Sequence, residues 1–152
     1  MSMNPLTAEE AKAFIEKPFA FVERAGVKAL VMKPRRVKLL LPLAGNANHI
    51  GSLYAGALFT VAELPGGALF LTTFDVNRFY PVLKSMSIRF RRPAFTDVTV
   101  AASLTEKEVR RIVTEAERRG KAEFSLNLDV RDAADRVVAE SEGLYQLRKT
   151  ES

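Results

Sequence analysis

The sequence predicts an α+β fold, an antiparallel sheet wrapped around one long central helix, and three observations carry that expectation. Residues from Leu53 to about Leu71 are apolar nearly all round, the pattern of a helix buried on every side. Segments 82 to 92, 97 to 104, 121 to 131 and 136 to 147 have strand character. The third alternates without a break, Ala122, Phe124, Leu126, Leu128 and Val130 against Lys121, Glu123, Ser125, Asn127, Asp129 and Arg131. A sheet with one apolar face needs a cover, and the apolar helix supplies it.

Taken in order, the elements begin with a short helix. Thr7 and Glu10 have the spacing of a capping box, the alanine-rich run after them is helical, and Pro18 interrupts or ends it. FAFVER allows a second helical turn. Residues 27 to 33 and 36 to 42, rich in β-branched residues and leucine and parted by Pro34, fit a hairpin or one bent strand. The loop from Gly45 to Gly51 leads into the apolar helix. Thr105 and Glu108 form a second capping box, with Val109, Ile112, Val113 and Ala116 at helical spacing and Gly120 at the C-terminal cap, so an extra helix over 106 to 119 separates the late strands. The last two strands form a hairpin turning at DAAD, 132 to 135. No internal repeat or low-complexity run divides the chain, and residues 1 to 152 read as a single domain with an N-terminal helical extension over about 1 to 25.

Composition narrows the chemistry. The chain has no cysteine and one histidine, His49, so disulfides, thiolate catalysis and His/Cys metal sites are out of reach, and no metal is expected. The N-terminus lacks the basic start and apolar run of a secretory signal, which points to a cytoplasmic protein. A net charge of +5, partly from KPRR, RFRRP and VRR, suits nucleic acid, a membrane surface or a phosphorylated small molecule. Nucleic acid is set aside because no recognition motif is present and acidic residues interrupt the basic ones. The apolar helix is long enough to span a bilayer, but Glu63 near its middle would cost about 2.5 to 3.5 kcal/mol there, and Pro65, Gly66 and Gly67 follow at once. A membrane span is therefore not expected.

Glu63 is the only carboxylate between Glu23 and Asp75. At 3.6 residues per turn, Gly56, Thr60, Glu63 and Gly67 share one narrow stripe, while Leu58, Val61, Leu64, Ala68 and Leu69 fall elsewhere and are expected to pack on the sheet. A carboxylate among apolar groups is poorly solvated, which raises its basicity. The bland alternative is an edge carboxylate bonded to a loop or to a neighbouring subunit. At the helix start, the amides of Tyr54, Ala55 and Gly56 are expected to lack partners within the helix and to hold a polarised carbonyl oxygen, with Gly51 and Gly56 allowing close approach.

The motif NxxGxxYAGxxFxxAE, formed by Asn48, Gly51, Tyr54, Ala55, Gly56, Phe59, Ala62 and Glu63, resembles the central motif of hotdog-fold acyl-CoA thioesterases of the phenylacetyl-CoA-thioesterase type. IRFRRPA at 88 to 94 and the strands from GKAEFSLNLDVRD to VVAESEGLYQL are similar in the same order, so the resemblance covers about 27 to 148. It implies a hotdog fold and Glu63 as general base or nucleophile. It further implies Asn48 as the group positioning water or substrate, and the Ala55 amide, with Gly56 beside it, as oxyanion donor. Tyr54 stands where that family has histidine and Ala55 where it has glycine. Alanine keeps the N–H, whereas tyrosine puts a phenol in place of an imidazole. His49 reads as a loop residue.

Ala55 and Glu63, eight residues apart on one helix, are separated by about 12 Å. One thioester cannot touch both, so joint action requires the acid of a second subunit, as the family's dimers arrange it. The expectation is a homodimer, or a dimer of dimers, acting on a small-molecule acyl thioester with coenzyme A as part of the substrate and no other cofactor. Hydrolysis is the leading expectation and binding of an acyl chain without hydrolysis the alternative. Gly51, Tyr54 and Thr60 would line the substrate. Arg89 and Arg91, on one strand face, are candidates for the coenzyme A phosphates, with Lys84 and Arg92 as further cations. Phe59, Phe70, Phe74, Met86 and Phe90 are either tunnel lining or plain core.

Overall fold

A computed structural model describes residues 5–151; the first four residues of the expected extension and Ser152 lie outside it. Helix α1, Ala8–Glu16, opens on its capping box, with the Thr7 hydroxyl accepting from the Glu10 amide at 3.2 Å and the Glu10 carboxylate accepting from the Thr7 amide at 3.0 Å. It stops before Pro18. The turn that follows is helix α2, Ala20–Ala25, ended by Gly26 at φ 74°. Strands β1, Lys28–Lys33, and β2, Arg36–Leu41, resolve to the hairpin, with Arg35 at φ 67° completing its turn.

The long helix α3 runs Ala55–Thr73, starting and ending two residues beyond the apolar run that predicts it. Strand β3, Phe79–Phe90, begins three residues before the expected span, and β4 covers Val98–Ser103. Helix α4, Glu106–Arg119, and strand β5, Lys121–Arg131, have the expected bounds, and β6 runs Val137–Lys149. The six strands form one sheet in the order β1-β2-β4-β5-β6-β3, antiparallel at every pairing.

Helix α3 packs against all six strands, as a sheet curled around a central helix must. This is the hotdog arrangement. Its Val61, Ala68 and Leu69 are wholly buried, as expected of the positions assigned to the sheet, and so is Ala62; just past the helix, Phe74 packs on Phe124 of β5 with centroids 6.4 Å apart. Burying each large aliphatic or aromatic side chain contributes about 1.5–3 kcal/mol, so the helix is held by its sides. Ala55–Thr73 is long and apolar enough to cross a membrane, but most of it is buried within the domain, where it forms the core. Strand β3 closes one side of the sheet and pairs only with β6, leaving its other edge open.

Candidate active site

The loop before α3 is built by two asparagines. The Asn46 side-chain amide donates to the carbonyls of Ala25 at 2.8 Å and Pro42 at 2.9 Å, and the Asn46 backbone carbonyl accepts from the Tyr54 amide at 2.9 Å. Asn46 therefore ties the end of α2, the end of β2 and the start of α3 together. The Asn48 side-chain oxygen accepts from the amides of Ile50 at 3.0 Å and Ser52 at 3.2 Å, and its nitrogen donates to the Ser52 hydroxyl at 2.9 Å. These bonds fold the 48–52 turn, in which Gly51 sits at φ 87°, a conformation that favours glycine. His49 is exposed, in keeping with a loop role.

The helix start differs from expectation in one respect. Tyr54 is the N-cap and its amide is already bonded to Asn46, so it is not one of the open donors. Ala57 and Leu58 both donate to the Tyr54 carbonyl. Among the described residues, that leaves the amides of Ala55 and Gly56 without acceptors at the positive end of the helix, with no side chain capping them. Such a pair of donors can hold a carbonyl oxygen that gains negative charge. The Tyr54 ring lies over this turn: a Cβ added at Gly56 would sit 2.6 Å from its Cε2. Glycine at 56 lets the ring rest there, and Tyr54 as a residue remains 60% exposed.

Farther along α3, Gly56, Thr60, Glu63 and Gly67 are each only partly buried, while the positions assigned to the sheet are covered. The stripe is therefore the side of the helix that its own sheet leaves open. Thr60 donates its hydroxyl to the Gly56 carbonyl at 2.8 Å. The Glu63 carboxylate has no hydrogen bond or ion pair among the described residues, and burial pushes its pKa up from the ordinary value. The bland alternative of a loop hydrogen bond is absent. An acid of raised basicity with free lone pairs can accept a proton or attack a carbonyl carbon.

The structure places Asn48, Gly51, Tyr54, Ala55 and Gly56 at one end of α3 and Thr60 and Glu63 farther along the same open stripe. Among the described residues, no side-chain hydrogen bond or ion pair joins the basic residues to them. Arg89 lies opposite Glu140 in the β3–β6 register, on the sheet face turned from α3. Arg91 makes a two-pronged bond to Glu140, at 2.9 and 3.1 Å, and Lys84 pairs with Glu123 at 2.9 Å. Two of the candidate phosphate ligands are thus already matched by carboxylates. Phe70 and Phe74 are core, whereas Phe59 and Phe90 are exposed. Among the described residues no three His, Cys, Asp or Glu side chains cluster as metal ligands.

Two contributors escaped the sequence reading, Asn46 and Tyr145. The Tyr145 hydroxyl donates to the backbone carbonyl of Glu63 at 3.1 Å, across 82 positions of sequence. Asn46 was detectable as a second asparagine in a turn-rich loop. Tyr145 carried no local signal.

The profile of a family described as "Domain of unknown function (DUF4442)" matches residues 10–144. A Pseudomonas aeruginosa protein, PA5026, described as of unknown function and a probable thioesterase, is 56% identical and superposes with a TM-score of 0.94, over 98% of this chain and 100% of that one. A Chlorobaculum tepidum protein of unknown function, OLEI01261, is 19% identical with a TM-score of 0.83, over 94% of each chain. A Haemophilus influenzae thioesterase, HI1161, is 14% identical with a TM-score of 0.73, over 97% of this chain and 94% of that one. The last two likenesses show the shared fold. No curated protein matches the sequence.

Proposed function

The chain belongs to the DUF4442 family, and on that premise we propose that it is a cytoplasmic hydrolase of acyl-CoA or related acyl thioesters, working as a homodimer with two shared sites. The observation that supports this reading most is the half-buried, unpartnered Glu63 carboxylate on the open stripe of a helix whose first amides are also open. About 12 Å of helix separates the two within one chain, so a thioester held at Ala55 and Gly56 must meet Glu63 of the partner subunit. The stripe and the unpaired edge of β3 are the surfaces such a dimer would use, since an exposed strand edge is a template for pairing.

In this mechanism the thioester carbonyl oxygen accepts hydrogen bonds from the amides of Ala55 and Gly56. In one form Glu63 takes a proton from water, the hydroxide attacks the carbonyl carbon, the C–S bond breaks, and the proton passes to the departing thiolate. In the other, a Glu63 oxygen attacks first, thiolate leaves, and water cleaves the resulting anhydride. Both give a carboxylic acid and a free thiol.

One observation favours a second reading, a hotdog domain that holds an acyl thioester without cleaving it. The Tyr54 ring rests against Gly56, the residue that supplies one of the two oxyanion donors, and narrows the approach to it. Free-thiol release from a panel of acyl-CoAs separates the two. Hydrolysis is expected, and Glu63→Gln should slow it by about 10²–10⁴-fold while leaving the fold intact. Binding without thiol release would reject the hydrolase, and an unchanged rate in the variant would reject Glu63 as its acid.

A further inference from the structure

Tyr145 is buried on the face of β6 that meets α3, and three contacts fix its ring. A Cβ added at Gly66 would lie 2.1 Å from its Cε1, and one added at Gly143 would lie 2.8 Å from its Cε2. The two glycines, one on the helix and one on the strand, thus receive opposite edges of the ring. Phe124, opposite Tyr145 in the β5–β6 register, stacks on its face with centroids 5.5 Å apart and planes at 16°. A ring held on two edges and one face has one place to put its hydroxyl, and that is the carbonyl of Glu63.

The helix is weakened close by. Pro65, two residues past Glu63, has no N–H to offer the Val61 carbonyl, so the turn carrying the acid is one ladder bond short. A carbonyl oxygen has two lone pairs, and the phenol can use the one that the helix leaves free on Glu63. Burial, with the Glu63 charge nearby, keeps the phenol protonated and able to donate.

We infer that Tyr145 is a positioning residue for Glu63, a phenol seated between Gly66 and Gly143 that holds the proline-weakened turn of α3 and so sets where the carboxylate points. The inference rests on the reading of Glu63 as the reacting acid. It separates the buried anchor from the exposed Tyr54, which touches the substrate side of the helix.

The test compares Tyr145→Phe, which keeps the ring and removes only the hydroxyl, with Ile112→Val, a fully buried change in α4, and with Glu63→Gln. In acyl-CoA hydrolysis by the full-length protein, Tyr145→Phe should lower kcat about tenfold or more with KM unchanged, because misplacing an acid slows the reaction without weakening binding. Ile112→Val should lower Tm and leave kcat alone. Without turnover, the ¹³C signal of the Glu63 carbonyl should move upfield in Tyr145→Phe as its donor is lost. An unmoved signal overturns the inference, as does near-wild-type kcat in Tyr145→Phe while Glu63→Gln is inactive. A fully active Glu63→Gln overturns the reading of Glu63 as the reacting acid and the inference with it.

Discussion

Helices α3 and α4 solve the same problem at their first turns in opposite ways. At the start of α4 the Thr105 hydroxyl accepts from the Glu108 amide at 3.0 Å and the Glu108 carboxylate accepts from the Thr105 amide at 3.2 Å, so the helix satisfies its own end. At the start of α3 the cap is Tyr54, which offers no side-chain bond, and the amides of Ala55 and Gly56 stay open. A side-chain cap contributes about 1 kcal/mol to stability. The chain takes that contribution at α4, and also at α1, and forgoes it at the short α2 and at α3, the helix that carries the lone acid. A capped end is complete as folded, whereas the open amides of an uncapped end can still donate to a ligand.

The contrast can be broken at α3 first. Ala55 is the first helical residue, a position that tolerates proline, and Tyr54 at φ −62° and ψ 138° already has the extended conformation required before one. Ala55→Pro should therefore fold normally while lacking one oxyanion donor, and kcat should fall by about 10²–10³-fold in the thiol-release assay. The matched change at α4, Thr105→Ala, should cost about 1 kcal/mol in denaturant unfolding and leave kcat untouched. Equal rates in Ala55→Pro and wild type would remove the functional meaning of the open amides.

The second break uses pH. Burial raises the Glu63 pKa in the folded protein above the 4.5 of an ordinary glutamate, so between the two values the folded chain holds a proton that the unfolded chain has released. Stability is therefore lost as pH rises from 4.5 through the folded value, and Glu63→Gln escapes that loss. Thermal melts should show Glu63→Gln more stable than wild type at pH 8 and the difference shrinking toward pH 4. A variant less stable than wild type at pH 8 would mean that the carboxylate has a stabilising partner.

The same contrast explains what the sequence disclosed. Helix α4 and strand β5 were legible to the residue because capping boxes, a terminal glycine and strict alternation are local signals. Helix α3 was legible as a buried helix, but its ends slipped by two residues because Tyr54 is not a capping residue and Thr72 and Thr73 continue the helix. The open stripe followed from 3.6-residue periodicity and is the one left uncovered. Which amides stay open was half legible, since only the folded loop reveals that Asn46 occupies the Tyr54 amide. The match of Arg91 to Glu140 depends on strand register, and the seat of Tyr145 on two glycines 77 positions apart in the chain, Gly66 and Gly143. Neither has a signature in any window of sequence.

The central claim is that each site takes its amides from one protomer and its acid from the other, and subunit mixing tests it most directly. Ala55→Pro and Glu63→Gln, each inactive alone, should on unfolding and refolding together regain about a quarter of wild-type activity, because half the dimers are mixed and each of those has one intact site. A mixture as inactive as its parents would contradict the shared site.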